Sequence, residues 1–545
     1  MFKAQIKSHV LTIEDQNSIL FEHSVWDKDE SLEIFGVYGS FTFNKHIYLI
    51  LVQSAERVGL IGGYPVFEVK DVRIFNLKEN RANQKGPDRQ DAALNVEASA
   101  TGGMDNDIMD LKEIQYLKKC IAEFFELPGI YFSEAQLYLR KDFNRMLDKI
   151  AEKTDKSPSQ RLILQEERLY KYEFLFNSFT IDHFNKLYAH QKKESAYERL
   201  ILKCIQGYFG MYEDLILISR RCPKRAGSRY FSRGVDQSGY PSNFVETEQI
   251  VSDKNSYLHL RGSIPLVWKH TVGFVYKPAI KIDGKLAETS SRTAHELLEN
   301  IYNRPVVYLN LIHKDGYEEN LYKKFNQHYG LTCNLYNYDF KKDFRKVDFP
   351  INFLETGFNS SGRSQKTIIR TNCIDCLDRT NSMQYFIGRD ILRLQLEDAG
   401  VTGRENIGRY EEAFKTLFYE NGNNLSIQYA GTKAQGSYFI THGQRHILGS
   451  LSDCYSSVTR YFINRYRQGQ LHNVYEVLTG VRIDGNILGK SRRPQLKMIL
   501  IVMPVLMCLF FASKTGGLAR AVFLAFFLCF VVFCITSMDY PLSYH

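Results

Sequence analysis

Residues 367–381 read Thr-Ile-Ile-Arg-Thr-Asn-Cys-Ile-Asp-Cys-Leu-Asp-Arg-Thr-Asn. The apolar start, Thr367-Ile368-Ile369, has the make-up of a short buried strand. After the stretch, Met383, Phe386, Ile387, Ile391 and Leu394 recur at helical spacing, and Gly400 is a natural stop. The residues between are therefore predicted to turn from a strand into the first turn of a helix. Such a turn attracts anions, because its free backbone N–H groups converge and the helix dipole adds positive potential. Cys373 and Arg379 have five residues between them. A loop of that length can wrap one phosphate, with the sulfur below phosphorus and the guanidinium forking two oxygens. The same field is expected to favour the thiolate of Cys373, giving a nucleophile aimed at phosphorus. The Thr380 hydroxyl is then placed to hydrogen-bond the sulfur as it leaves.

Cys373-Ile374-Asp375-Cys376 is also a Cys-x-x-Cys, the pattern of a redox pair or of half a zinc site. A zinc site also needs a second pair of ligands. A thioredoxin-like pair has no use for Arg379, Thr380 or the acidic residues. The full string from Arg370 to Asn381 resembles, at every fixed position, the signature of the Sac-domain phosphoinositide phosphatases, Arg-x-Asn-Cys-x-Asp-Cys-Leu-Asp-Arg-Thr-Asn.

The resemblance extends along roughly residues 30–480, apart from an insertion near 79–109. It includes Ser219 to Tyr230, with Arg220, Arg221, Lys224, Arg225 and Arg229, and a further cation at Arg233. It also includes Asn243 to Gln249, Arg261 to Trp268, Asn424 to Thr432, Thr441, Gly443, Arg445 and Arg460-Tyr461. Phe176 stands where the family carries tryptophan, Phe418 likewise, and Lys341 where it usually has histidine.

The chain has 545 residues, 44% hydrophobic and 13% aromatic, which supports real cores and excludes a disordered protein. Its formal net charge of +9 suits an anionic partner, a membrane surface or nucleic acid. Ten cysteines without framework spacing point to a reducing compartment. The N-terminus has no apolar run of signal-peptide length.

Ile34–Phe41, Ile47–Val52 and Val66–Val69 read as strands, with Gly59, Gly62 and Gly63 between them. The segment 79–107 is polar and Gly/Asn/Asp-rich, and is expected to be a disordered insertion. Asp110–Phe125 reads as a helix, Leu215–Ser219 and Pro305–Leu311 as buried strands, and Ala294–Tyr302 and Glu318–Tyr329 as helices. This alternation is that of an α/β domain. Near the C-terminus, Met498–Ser513 and Ala521–Met538 carry no charge and, as helices, measure roughly 24 and 27 Å. That is enough for a thin bilayer. Lys514 to Arg520 is short enough for a hairpin turn, and Lys490, Arg492, Arg493 and Lys497 place the preceding side in the cytosol.

The expected architecture is a β-rich N-terminal subdomain (1–175) packed on an α/β Cys-based phosphatase domain (176–480). A cytosolic tether (481–497) and a two-helix transmembrane hairpin (498–538) follow. The resemblance implies hydrolysis of phosphatidylinositol phosphates, most of all the 4-phosphate. Cys373 is the implied nucleophile, Asp375 the leaving-group acid and Arg379 the phosphate ligand. Ile374, Cys376, Leu377, Asp378, Thr380, Lys224, Arg225 and Arg229 are the expected substrate contacts, with Asp378 as the other choice for the acid or as a brace for the loop. No metal or cofactor is expected, because loop amides and Arg379 neutralise the phosphate. The expected partners are the lipid substrate and the anionic cytosolic leaflet, not nucleic acid. The expected location is the endoplasmic reticulum membrane, with the Golgi as the other candidate. Two rival functions stand beside this: a catalytically weak phosphoinositide-binding tether, and a Cys-x-x-Cys redox protein.

Overall fold

The computed structural model describes residues 1–15, 18–78, 103–140, 173–188, 198–252, 255–271, 277–330, 333–338, 358–359, 364–436, 440 and 447–485. The chain begins with a four-stranded antiparallel sheet, Phe2–Lys7 (β1), Val10–Asp15 (β2), Ser18–Ser24 (β3) and Glu30–Ile34 (β4), in the order β3-β2-β1-β4. Sequence reading began its strands only at Ile34. In β1 and β2 the buried Ala4, Ile6, Leu11 and Ile13 alternate with polar or half-buried neighbours, so no apolar run announces them.

The body of the protein is one eleven-stranded sheet. Its strands are Gly36–Phe43 (β5), His46–Ile61 (β6), Tyr64–Leu77 (β7), Ile130–Phe132 (β8), Cys204–Tyr212 (β9), Leu215–Arg221 (β10), Val245–Val251 (β11) and Asn255–Ser263 (β12), followed after the hairpin Trp268–His270 (β13) and Ile280–Ile282 (β14) by Val306–Asn310 (β15), Asn334–Asn337 (β16) and, past the short pair Phe358–Asn359 (β17) and Ser364–Gln365 (β18), by Ile368–Cys373 (β19). The spatial order is β16-β15-β19-β12-β11-β10-β9-β8-β7-β6-β5. Residue 175, the boundary read from the sequence, does not interrupt the ladder, because β8 pairs with β9.

The sheet changes character at β12. From β5 to β12 its neighbours are antiparallel, whereas β12, β19, β15 and β16 run parallel. Every residue of β15 and β19 is buried, so both faces are covered here. The cover comes from Ala287–Tyr302 (counted here as α3, after Gly103–Phe125, α1, and Ser178–Tyr188, α2), Glu319–Tyr329 (α4) and Asp378–Asp398 (α5), whose apolar faces share one core with β12, β15 and β19. Arg404–Ala430 (α6) packs against α5 and β9–β11 in a second core, and Ile447–Tyr466 (α7) and Gln468–Leu478 (α8) close the domain. In an open sheet with parallel strands, ligands bind beyond the carboxyl ends of those strands. Here that edge is where β12 and β19 end side by side, with Ser263 opposite Cys373.

Among the described residues no helix is long and apolar enough to cross a membrane. The two expected spans lie outside the described residues, as do most of the insertion at 79–107 and Lys341, Thr441, Gly443 and Arg445. The last described residues are pinned to the turn between β5 and β6: Asn44 N–H donates to Ile483 O (3.2 Å) and Gly485 N–H to Asn44 Oδ1 (2.9 Å).

Candidate active site

The first four residues of the twelve-residue motif belong to β19 and the last four to α5, so the loop proper is short. Much of the motif is scaffold. Arg370 is fully buried; its Nη2 donates to Ser263 O at 2.9 Å and its Nη1 meets Asn372. Asn381 Nδ2 donates to Phe418 O (3.0 Å), and its side chain lies so close to Gly422 that a Cβ there would come within 2.2 Å of it, so α6 can sit this near only through a glycine. Cys376 adopts φ +52° and turns its buried sulfur between the carbonyl oxygens of Gly262 (2.6 Å) and Cys373 (3.0 Å). Burial pushes its thiol up to about 12, and nearby Cys373 adds to this.

The loop's carbonyls are held from outside. Cys373 O meets the Cys376 thiol, Ile374 O accepts from Arg233 Nη1 (2.6 Å) and Asp375 O from Asn243 Nδ2 (3.3 Å). A trans peptide points each following N–H the opposite way. The amides of Ile374, Asp375 and Cys376 are thus turned away from these partners, and that of Asp375 approaches the Cys373 sulfur. This is the arrangement an anion-binding loop needs.

A cavity of about 380 Å³ opens over the loop. Cys373, Ile374, Asp375, Leu377, Asp378, Arg379 and Arg229 line it, so seven of the expected site residues meet there. Its other walls include Arg233, Lys277 and Arg460, which together with Arg229 and Arg379 make five cations around one space.

Four expected substrate contacts do not line it. Cys376 serves the loop's shape from beneath. Thr380 is fully buried, and among the described residues its hydroxyl meets no hydrogen-bond partner, the Cys373 sulfur included. Lys224 lies in an ion pair with Glu173 (3.1 Å) and over the Tyr240 ring. Arg225 donates to Arg233 O (2.7 Å) and Ser242 Oγ (3.1 Å), bracing the chain rather than facing the cavity.

Two expectations of charge also change. Burial raises the Cys373 thiol above its ordinary value; Arg379 opposes this, while Glu318 and Asp375 add to it. Burial thus favours the Cys373 thiol over the thiolate, with Arg379 as the group that opposes it. Asp375, expected as a ready acid, is gripped by Arg229 Nη2 at 2.6 Å and by Arg233 Nη2. Burial would raise its carboxyl, but Arg229 and Arg233 outweigh burial and hold it well below the usual carboxylate range. As it stands it is an ionised partner of two guanidiniums, not a proton donor. Asp378 accepts from Gln435 N (2.5 Å) and Arg460 Nη1 (3.0 Å), which ties α5 to α7.

Several wall residues escaped the sequence reading. Glu318 accepts from Arg379 Nη2 (2.6 Å) and Nη1 (3.0 Å). Arg233 Nε donates to His270 Nδ1 (3.1 Å), and His270 Nε2 lies 3.0 Å from Tyr317 Oη, which donates on to Pro278 O. Burial, then Arg233, lowers His270 to about 3, so it is neutral, with its proton on Nε2. Tyr317 and Glu318 follow β15 closely, and the carboxyl end of a parallel strand beside β19 was the available signal.

The SacI homology domain matches residues 35–350 of this chain. Over 488 residues the chain is 31% identical to phosphoinositide phosphatase SAC7 of Arabidopsis thaliana, covering 82% of this chain and 74% of the relative. It is 26% identical over 482 residues to phosphatidylinositol-3-phosphatase SAC1-B of Danio rerio, covering 82% and 76%. The chain belongs to the Sac-domain phosphoinositide phosphatase family. It is accordingly a phosphatidylinositol-phosphate phosphatase, and the cavity over Cys373 gathers a buried thiol, the short loop after β19 and five cations.

Proposed function

We propose that this protein is a membrane-anchored phosphatase of phosphatidylinositol 4-phosphate that works through a phosphocysteine. The observation that carries the reading is Cys373 itself, a buried sulfur at the end of β19 opening on a cavity with five cations. The Cys373 thiolate attacks phosphorus and forms an S–P bond. The P–O bond to inositol breaks, and the inositol oxygen takes a proton as it leaves. Water then attacks phosphorus, releases inorganic phosphate and returns the sulfur. Asp375 is ionised while Arg229 and Arg233 hold it. A phosphate that draws these guanidiniums onto its own oxygens weakens their hold and raises the carboxyl's proton affinity, so the acid is armed by substrate.

The membrane part of the proposal rests on the two uncharged stretches, 498–513 and 521–538. Residues 486–497 can extend roughly 40 Å from the pinned Gly485, so the head would work on its own membrane. Location in the endoplasmic reticulum or Golgi, with the head cytosolic, follows from the short spans and the basic residues before them.

Phosphate release is to be measured from each phosphoinositide isomer, with wild type beside Cys373→Ser. The expected result is preference for the 4-phosphate and no turnover by Cys373→Ser. Preference for the 3-phosphate, the position in the zebrafish relative's name, would overturn the choice of isomer. Turnover by Cys373→Ser would overturn the phosphocysteine. Removal of residues 491–545 should leave activity on short-chain lipids and abolish sedimentation with membranes; a truncated protein still in the membrane pellet after carbonate washing would remove the hairpin.

A further inference from the structure

Arg379 has five N–H donors. Leu311 O takes one from Nη1 at 2.7 Å, and Glu318 takes two, one from each terminal nitrogen. Two remain: the Nε proton and one proton of Nη2. These lie along one edge of the planar group, spaced as a fork for two oxygens of a phosphate. We infer that Glu318 is the positioning residue for Arg379, fixing the guanidinium so that its free edge is the one presented to the substrate phosphate.

Glu318 is itself held in place. It is buried, it ends the short turn Gly316–Glu318 that leads into α4, and its Oε2 accepts from His313 N at 2.8 Å. Leu311, the other partner of Arg379, follows directly on β15, which pairs with β19. The guanidinium is thus fixed to the strand beside its own loop. A carboxylate in the wall of an anion site is otherwise a liability: it repels phosphate and opposes ionisation of Cys373. What it supplies in exchange is direction. A long side chain without it can turn its other edges inward, and a misplacement of about 1 Å can cost roughly 10²-fold in rate.

The inference rests on the reading that Arg379 binds the substrate phosphate, and Arg379→Lys tests that separately. The full-length protein in detergent is to be compared as wild type, Glu318→Gln, Glu318→Asp, Arg379→Lys and the double variant Glu318→Gln/Arg379→Lys. The readouts are kcat and KM on a short-chain phosphoinositide and the pH dependence of Cys373 alkylation by iodoacetamide. Glu318→Gln is expected to lower kcat by roughly 10²-fold with KM changed less than about 3-fold. Its alkylation midpoint should move to lower pH, because an anion beside the sulfur has gone. More thiolate with less turnover is a signature that general loss of structure does not give. Glu318→Asp, which keeps the charge, should recover part of kcat and the wild-type midpoint; if Glu318→Gln does not fold, this variant carries the test, with kcat below wild type expected. In the double variant Glu318→Gln should add nothing to the loss from Arg379→Lys, since it acts through that guanidinium. A kcat for both Glu318 variants within about 3-fold of wild type, or a full additional loss in the double variant, overturns the inference. Wild-type kcat in Arg379→Lys would instead overturn the phosphate-binding role on which it rests.

Discussion

Arg220 and Arg221 stand in the same basic run as Arg229 and Arg233, and the two pairs have opposite fates. The first pair lies at the end of β10, where every residue is buried. Arg220 is sealed inside with Glu246 (2.9 Å) and Glu248 (2.5 Å) and donates to the carbonyls of Leu137 and Leu139. Arg221 donates to Gln206 and Tyr475. Beyond the strand the chain loops over the phosphate loop, and there Arg229 and Arg233 face the cavity and Asp375. A run of charge is thus no groove by itself. Within the strand the cations are sealed in the fold; beyond it Lys224 and Arg225 brace the chain, while Arg229 and Arg233 face the cavity.

The largest expected effect tests the buried side. Arg220→Met leaves Glu246 and Glu248 buried without their cation, and breaking such a pair costs about 3–5 kcal/mol. Urea denaturation should show that loss; a change below about 1 kcal/mol would erase the contrast between the pairs. On the cavity side, Arg229→Ala should fold and lose roughly 10²-fold in turnover, since one phosphate-facing donor is gone. Should its stability collapse with its rate, Arg229 belongs with the scaffold.

A smaller effect concerns acid. The folded carboxyl of Asp375 lies below its unfolded value of about 3.9, so its stabilising contribution is present above about pH 4 and is lost as pH falls through the lower folded value. Asp375→Asn should therefore lose less stability than wild type on acidification below about pH 4, measured by thermal melting across that range; parallel curves would deny the clamp. The smallest effect is that of Lys224→Ala. Its half-exposed ammonium lies off the cavity, so turnover should stay within about 2-fold. A large loss of turnover would extend the substrate surface to this residue.

The strand–loop–helix of the motif could be read in the sequence because three short-range signals agree on it: the apolar Ile368-Ile369, the Cys373–Arg379 spacing and the helical recurrence from Met383. The buried strands β10 and β15 were equally visible as unbroken apolar runs. What the sequence hid depends on pairing across distance. Glu318 looks like any helix-initiating glutamate until β15 lies beside β19. His270 and Tyr317 come together only through the β13–β14 hairpin. Asp375 could be matched to a motif position, but its two guanidinium partners come from another segment, and they reverse its expected protonation. Cys376 and Thr380 share the motif, yet the Cys376 sulfur meets the Gly262 carbonyl and Thr380 is fully buried.

The brace between Asp378 and Arg460 has a consequence in time. Arg460 reaches back from α7 to Asp378, Thr432 Oγ1 (2.9 Å), Ser426 Oγ (3.1 Å) and Lys433 O (2.9 Å). A ribosome making 5–20 residues per second delivers Arg460 roughly 5–20 s after Cys373. Throughout that interval the nascent chain carries Cys373 without Arg460, one of the cations of its cavity. A chain stalled before α7 carries the whole motif but lacks the Arg460 and Tyr461 part of the cavity wall.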